Sequence, residues 1–194
     1  MSFSKPVLYV FALSSCALLA TALVPALQEM QMPKAGEQHK NLLAGVGEWE
    51  GTVTDFHDPA AKPTPVPARE TVTAVGEFWV LSQFHSEFGG MPYHGSGHYG
   101  YDAEKKKFIG TWVDSMSSYF SLMEGEMDPK TKALVMRWQA PGMDGKMTPQ
   151  RSESIETADS RTMTFYSGEG AGTKSMVIEL KRKKGRAAEA GSTK

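Results

Sequence analysis

The stretch Trp112-Val113-Asp114-Ser115 holds the densest side-chain chemistry in this chain, a carboxylate and a hydroxyl beside an indole. Alternation puts Phe108, Gly110, Trp112 and Asp114 on one face of a strand, so the carboxylate and the indole point the same way. A carboxylate on an inward face needs a partner, and three roles fit it: orienting the polar end of a ligand, acting as an acid or base, or accepting hydrogen bonds from the turn that follows. No Ser-His-Asp spacing or glycine-flanked serine accompanies it, and no catalytic residue is assigned. Phe120 is a candidate apolar contact for the same ligand. Arg137, between Met136 and Trp138, is either a counter-charge for its head group or a surface residue.

The histidines suggest metals first. His94 and His98 fall on one strand face, but four residues span about 13 Å at the usual rise, too far for two ligands of one ion unless the strand breaks. Gly95 and Gly97 between them mark a bend, a bulge or a close approach. His85, between Gln83 and Glu87, is the better single candidate, either as a ligand-binding side chain or as part of an exposed polar face. Met91, Met116, Met123, Met127, Met136, Met143, Met147, Met163 and Met176 read as core filler, as an adaptable cavity lining, or as thioether ligands for copper. No metal site and no cofactor is assigned.

The elements that position these residues are strands. After a short helix expected over Glu37 to Ala44, stopped by Gly45 and Gly47, period-2 patterns run over residues 49–56, 68–75, 78–88, 93–101, 108–114, 119–127, 134–139, 147–156, 162–166 and 175–182. Polar and proline-containing turns such as Asp102-Ala103-Glu104-Lys105 and Asp128-Pro129-Lys130-Thr131 separate them. Connections this short force antiparallel neighbours, because parallel pairing needs crossovers of about a dozen residues or more. Some ten successive twisted strands then close or split, and an all-β, antiparallel up-and-down barrel with one N-terminal helix is the expected fold. Trp49, between Gly47 and Gly51, reads as a plug at one end.

Outside the barrel, residues 1–26 have the pattern of an export signal, with Lys5, an apolar run from Val7 to Val24 and a small-residue cleavage site at Val24-Pro25-Ala26. Leu13-Ser14-Ser15-Cys16 also matches a lipobox, with Cys16 as the lipidated residue, and the 7–24 run is at the short limit for an uncleaved anchor. Residues 27–36 read as a linker, 37–183 as the barrel domain and 184–194 as a basic disordered tail. The formal net charge of the chain is −1, and losing Lys5 with the leader moves it to about −2, which argues against a nucleic-acid partner. Cys16 is the single cysteine, so a cleaved chain has no disulfide.

The runs Pro33-Lys34-Ala35-Gly36-Glu37-Gln38-His39-Lys40, Gly47-Glu48-Trp49-Glu50-Gly51, Gly89-Gly90-Met91-Pro92-Tyr93, Gly100-Tyr101-Asp102 and Thr111-Trp112-Val113-Asp114-Ser115-Met116-Ser117 resemble a bacterial family known as domain of unknown function 1579. The resemblance covers roughly residues 32 to 183 and implies a lipocalin-like barrel with no established activity. The Gly-x-Trp at 47–49 is similar to the first lipocalin motif, which implies a basic residue from the last strand, Arg182 or Lys181, over the Trp49 ring. The leading functional expectation is an exported barrel, periplasmic or secreted, that takes a small apolar or amphipathic ligand without a redox cofactor. The candidate ligand contacts are Trp112, Asp114, Phe120, Arg137 and His85. An enzyme using His85 or Asp114, a haem or metal protein using one histidine, and a filled barrel acting as an envelope interaction module are the alternatives.

Overall fold

Alternating sequence becomes a closed wall in the computed structural model, which describes residues 33–142 and 144–184. The proposed leader, Cys16, most of the linker, Met143 and the tail beyond residue 184 lie outside the described residues. Helix α1 (Glu37–Ala44) precedes ten strands: β1 (Gly47–Asp55), β2 (Val66–Val75), β3 (Trp79–Phe88), β4 (Met91–Asp102), β5 (Lys107–Asp114), β6 (Ser117–Met127), β7 (Leu134–Pro141), β8 (Met147–Glu156), β9 (Ser160–Ser167) and β10 (Thr173–Arg182). Each strand pairs antiparallel with its sequence neighbours, and β10 returns to β1 to close an up-and-down barrel. The ten expected strands and the helix are all present; the differences are at strand ends, where hairpin pairing extends the ladder past the alternating residues. For example, β4 starts at Met91 because Phe88 pairs with it across the Gly89-Gly90 turn. Both glycines there have positive φ, 58° and 79°, which a side chain would disfavour.

The barrel is solid at one end. Trp49, Val53, Ala68, Val72, Val80, Phe84, Ile178 and Leu180 form the main core, with Leu42, Leu43 and Val46 from α1 and its exit packed against it. A second cluster of Phe108, Met123 and Met136 continues around the wall. The helix is fixed to the wall by His39, whose Nδ1 accepts the Gly36 N–H at 3.0 Å. Nδ1 therefore carries no proton, and Nε2 donates to the Tyr101 carbonyl at 3.0 Å. Phe78 and Tyr101 meet the same imidazole edge-on.

Trp49 is 1% exposed and its indole N–H donates to the Gly45 carbonyl at 3.0 Å. Two guanidiniums lie over its ring. The Arg182 guanidinium is 4.2 Å from one ring centroid, and that of Arg161, a residue the sequence pattern did not single out, is 4.4 Å away. Arg182 also donates to the carbonyls of Ala44, Val46 and Ala158, which ties the last strand to the end of the helix. Lys181, the other candidate for this position, is exposed.

Candidate functional site

Toward the other end, the space between the walls is not filled by side chains. A cavity of about 370 Å³ runs from the middle of the barrel to the rim at His57, Phe88, Ser117, Pro141 and Gly142. Its walls are largely aromatic and thioether, with Phe84, Tyr93, Trp112, Trp138, Phe165 and Met176 prominent. Among the methionines, Met123, Met163 and Met176 line it, Met136 is core, and Met91, Met116, Met127 and Met147 are exposed.

Two glycines explain how so large a ring as Trp112 fits the wall. A Cβ on Gly95 would lie 2.1 Å from Cζ2 of Trp112, and one on Gly97 would lie 2.7 Å from its Cε3. The indole rests flat on bare backbone. The Gly-Ser-Gly between His94 and His98 is therefore the close approach among the three readings of these residues. The indole N–H of Trp112 donates to the Tyr93 hydroxyl at 3.1 Å. Burial pushes the Tyr93 phenol above its ordinary range, and the charge of the neighbouring Asp114 carboxylate raises it further. Asp114 also accepts the Met116 N–H at 2.9 Å, so it caps its own turn and faces the cavity at once.

A second carboxylate lies at the cavity floor. Glu70 is 6% exposed; the Ser82 hydroxyl donates to one of its oxygens at 2.6 Å and Arg161 holds the other. Arg161 in turn donates from Nε to Glu156 at 2.7 Å. Both oxygens of Glu70 are thus satisfied within the fold. Tyr99 above it is raised first by burial and then by the Glu70 charge. Glu70, Arg161, Tyr93 and Tyr99 were missed in the sequence; the signal available was a charged residue at an inward position of β2 and of β9, where alternation calls for an apolar one.

Of the sequence candidates, Trp112 and Asp114 come together in the cavity and three others do not. Phe120 is 54% exposed on the outer wall. Register is the reason: Ser121 lies opposite the inward Trp112, so its neighbour Phe120 must point outward. Arg137 lies opposite Glu124 on the outside, and inward-facing Met136 and Trp138 flank it. His85 is exposed on the outer face of β3, which leaves Asp114 as the one cavity residue of the two proposed for acid–base work. Among the histidines only His57 reaches the cavity, at the rim, where its Nδ1 is 2.6 Å from Asp55.

The wall itself has a gap. β6 and β7 pair only from Glu124↔Arg137 to Met127↔Leu134, whereas β7 and β8 pair along their whole length. Continuing the register would put Met123, Leu122, Ser121 and Phe120 opposite Trp138, Gln139, Ala140 and Pro141, and those four rungs are absent. An outer groove of about 740 Å³ lies along the gap, and Tyr119, Trp138 and Gln150 line both groove and cavity. Groove and cavity thus lie on either side of a wall that these three side chains share where the rungs are missing. Phe120 and the 68%-exposed Leu122 form an apolar lip on the outside.

A family model described as "Protein of unknown function (DUF1579)" matches residues 34–184. Among solved structures the chain is similar to Rv2717c from M. tuberculosis, with a TM-score of 0.59 and 9% identity over 77% of this chain and 99% of that one. It is also similar to the S-type phycobiliprotein lyase CPES from Guillardia theta, with a TM-score of 0.49 and 15% identity over 77% of this chain and 94% of that one. At 9% identity the likeness to Rv2717c shows the fold alone. No curated protein matches the chain.

Proposed function

The chain belongs to this family of unknown function, and from that premise we propose that it is an exported carrier or receptor for a small apolar or amphipathic molecule held inside the barrel. The observation that carries the reading is the cavity of about 370 Å³, at the small end of the range usual for ligand sites, with an aromatic and methionine wall and one carboxylate, Asp114, facing in. The apolar part of the ligand packs on Trp112, Phe165 and Met176. A hydroxyl, amine or amide at its polar end meets Asp114 and the Tyr93 hydroxyl. An anionic head group is disfavoured there, because the inward-facing Asp114 carboxylate repels it.

Native mass spectrometry of the protein purified from its own host tests the reading. A retained small molecule that is lost in Trp112→Ala, with the variant still folded though of lower melting temperature, is the expected result. Repeated recovery of empty protein, together with failure to take up any member of a lipid and small-molecule panel, would sink it. Export rests on the sequence of residues 1–26, and the same preparation reports on it: the mature chain is expected to begin at Leu27, and an intact Met1 or a lipidated Cys16 would overturn that cleavage.

A further inference from the structure

On the outer wall, away from the cavity, His85 of β3 and His94 of β4 sit directly opposite each other in register. Their rings meet edge to face with centroids 4.8 Å apart, and the two Nδ1 atoms are 2.6 Å apart. Both side chains are exposed. A contact of this kind needs a lone pair on at least one Nδ1, and exposed rings exchange tautomers freely, so both lone pairs can be turned toward a common point. The spacing that separates His94 from His98 along one strand is absent across the ladder, where opposed side chains are neighbours.

We propose that His85 and His94 form a bidentate site for a late first-row divalent ion of tetragonal preference, Cu(II) or Ni(II). Imidazole nitrogen suits these ions. Two nitrogens bound at about 2.0–2.1 Å lie about 2.9 Å apart when they are cis at a right angle, and about 3.3 Å apart across a tetrahedral angle. The narrow spacing here opens by a few tenths of an ångström to reach the first and by more than twice as much to reach the second. The bite therefore favours a tetragonal ion over tetrahedral Zn(II). No group of three or more His, Cys, Asp or Glu gathers at any point among the described residues, so water fills the remaining positions. Ser115 stands beside the His94 backbone, its hydroxyl accepting the His94 main-chain N–H at 3.1 Å. Arg69 lies opposite His85 on β2, and Glu87 shares the outer face two residues along β3, so neither sign of charge dominates the approach.

Titration of the full chain with NiCl2 and CuSO4 in the presence of glycine as a competing chelator, followed by calorimetry, tests the site. One ion per chain is expected, with Zn(II) weaker than either. Loss of a direct ligand should cost at least as much as loss of an outer-sphere partner, so His85→Ala and His94→Ala, or His94→Gln if an alanine variant melts early, should weaken binding by about ten-fold or more. His98→Ala, on the same strand and equally exposed, should leave it unchanged. Electron paramagnetic resonance of the Cu(II)-loaded wild-type protein should report two imidazole nitrogens, a readout that needs no variant. Binding that persists in the His85→Ala and His94→Ala variants, a spectrum with one nitrogen, or no binding above that of the competing glycine would overturn the proposal.

Discussion

Gly95 and Gly97 matter to the cavity through a ring they do not carry. With a Cβ at Gly95 only 2.1 Å from the Trp112 indole, Gly95→Ala must push that ring into the cavity. Such overpacking costs about 1–3 kcal/mol, and the expected outcome is a folded protein of lower melting temperature that no longer retains ligand in the native mass spectrum. Asp114→Asn removes the charge beside Tyr93 and keeps the shape, so it should retain the fold and weaken a ligand that donates to the carboxylate. Glu70 behaves differently. Its ion pair with Arg161 is buried at both partners, and Glu70→Ala leaves the guanidinium without its principal counter-charge on that side; a loss of about 3–5 kcal/mol is expected in urea unfolding. Trp112 and Asp114 were legible in the sequence because a tryptophan and an aspartate two residues apart share a face whatever the register. Phe120 was not, because its face is set by which residue of β6 stands opposite Trp112, and that pairing depends on the irregular Asp114–Ser117 hairpin with its register shift between Trp112 and Asp114. The His85–His94 pair was hidden for the same reason, being a contact across strands nine residues apart in sequence.

At the level of elements, the incomplete β6·β7 ladder separates two kinds of wall. Where rungs are present, backbone amides are held between strands; along Ser117–Met123 the side of β6 toward β7 has none. Hydrogen exchange should therefore find fast amides on that side of β6 and in Gln139, and slow ones where β6 faces β5 and at Ala140, which points to β8. Uniformly slow exchange across β6 would argue against an opening there. Strand existence was readable from alternation and turn residues, and helix α1 was readable to the residue from its glycine stop. The gap was not, because Phe120-Ser121-Leu122-Met123 and Trp138-Gln139-Ala140 alternate as well as any paired segment. A sequence records which residues suit a strand and leaves open whether two strands stay together.

Across the whole molecule, two buried phenols tie stability to alkaline pH. Tyr93 and Tyr99 are both raised above the ordinary tyrosine value of about 10, so folding favours their protonated forms. That contribution is fully present below about pH 10 and is lost as pH rises from there through the folded values. The urea midpoint should fall between about pH 10 and 11.5, and fall less steeply in Tyr93→Phe and Tyr99→Phe; a wild-type midpoint flat over that range would contradict the assignment. The β1·β10 seam bears on a different matter, the order of events during synthesis. Trp49 pairs with Arg182, so the first strand made has no second partner until the last has been made. A growing chain can add hairpin to hairpin as it emerges, yet it remains an open sheet with two bare edges until the final strand arrives. Closure is thus a single late event, and any pause in synthesis before residue 182 leaves those edges available to other chains.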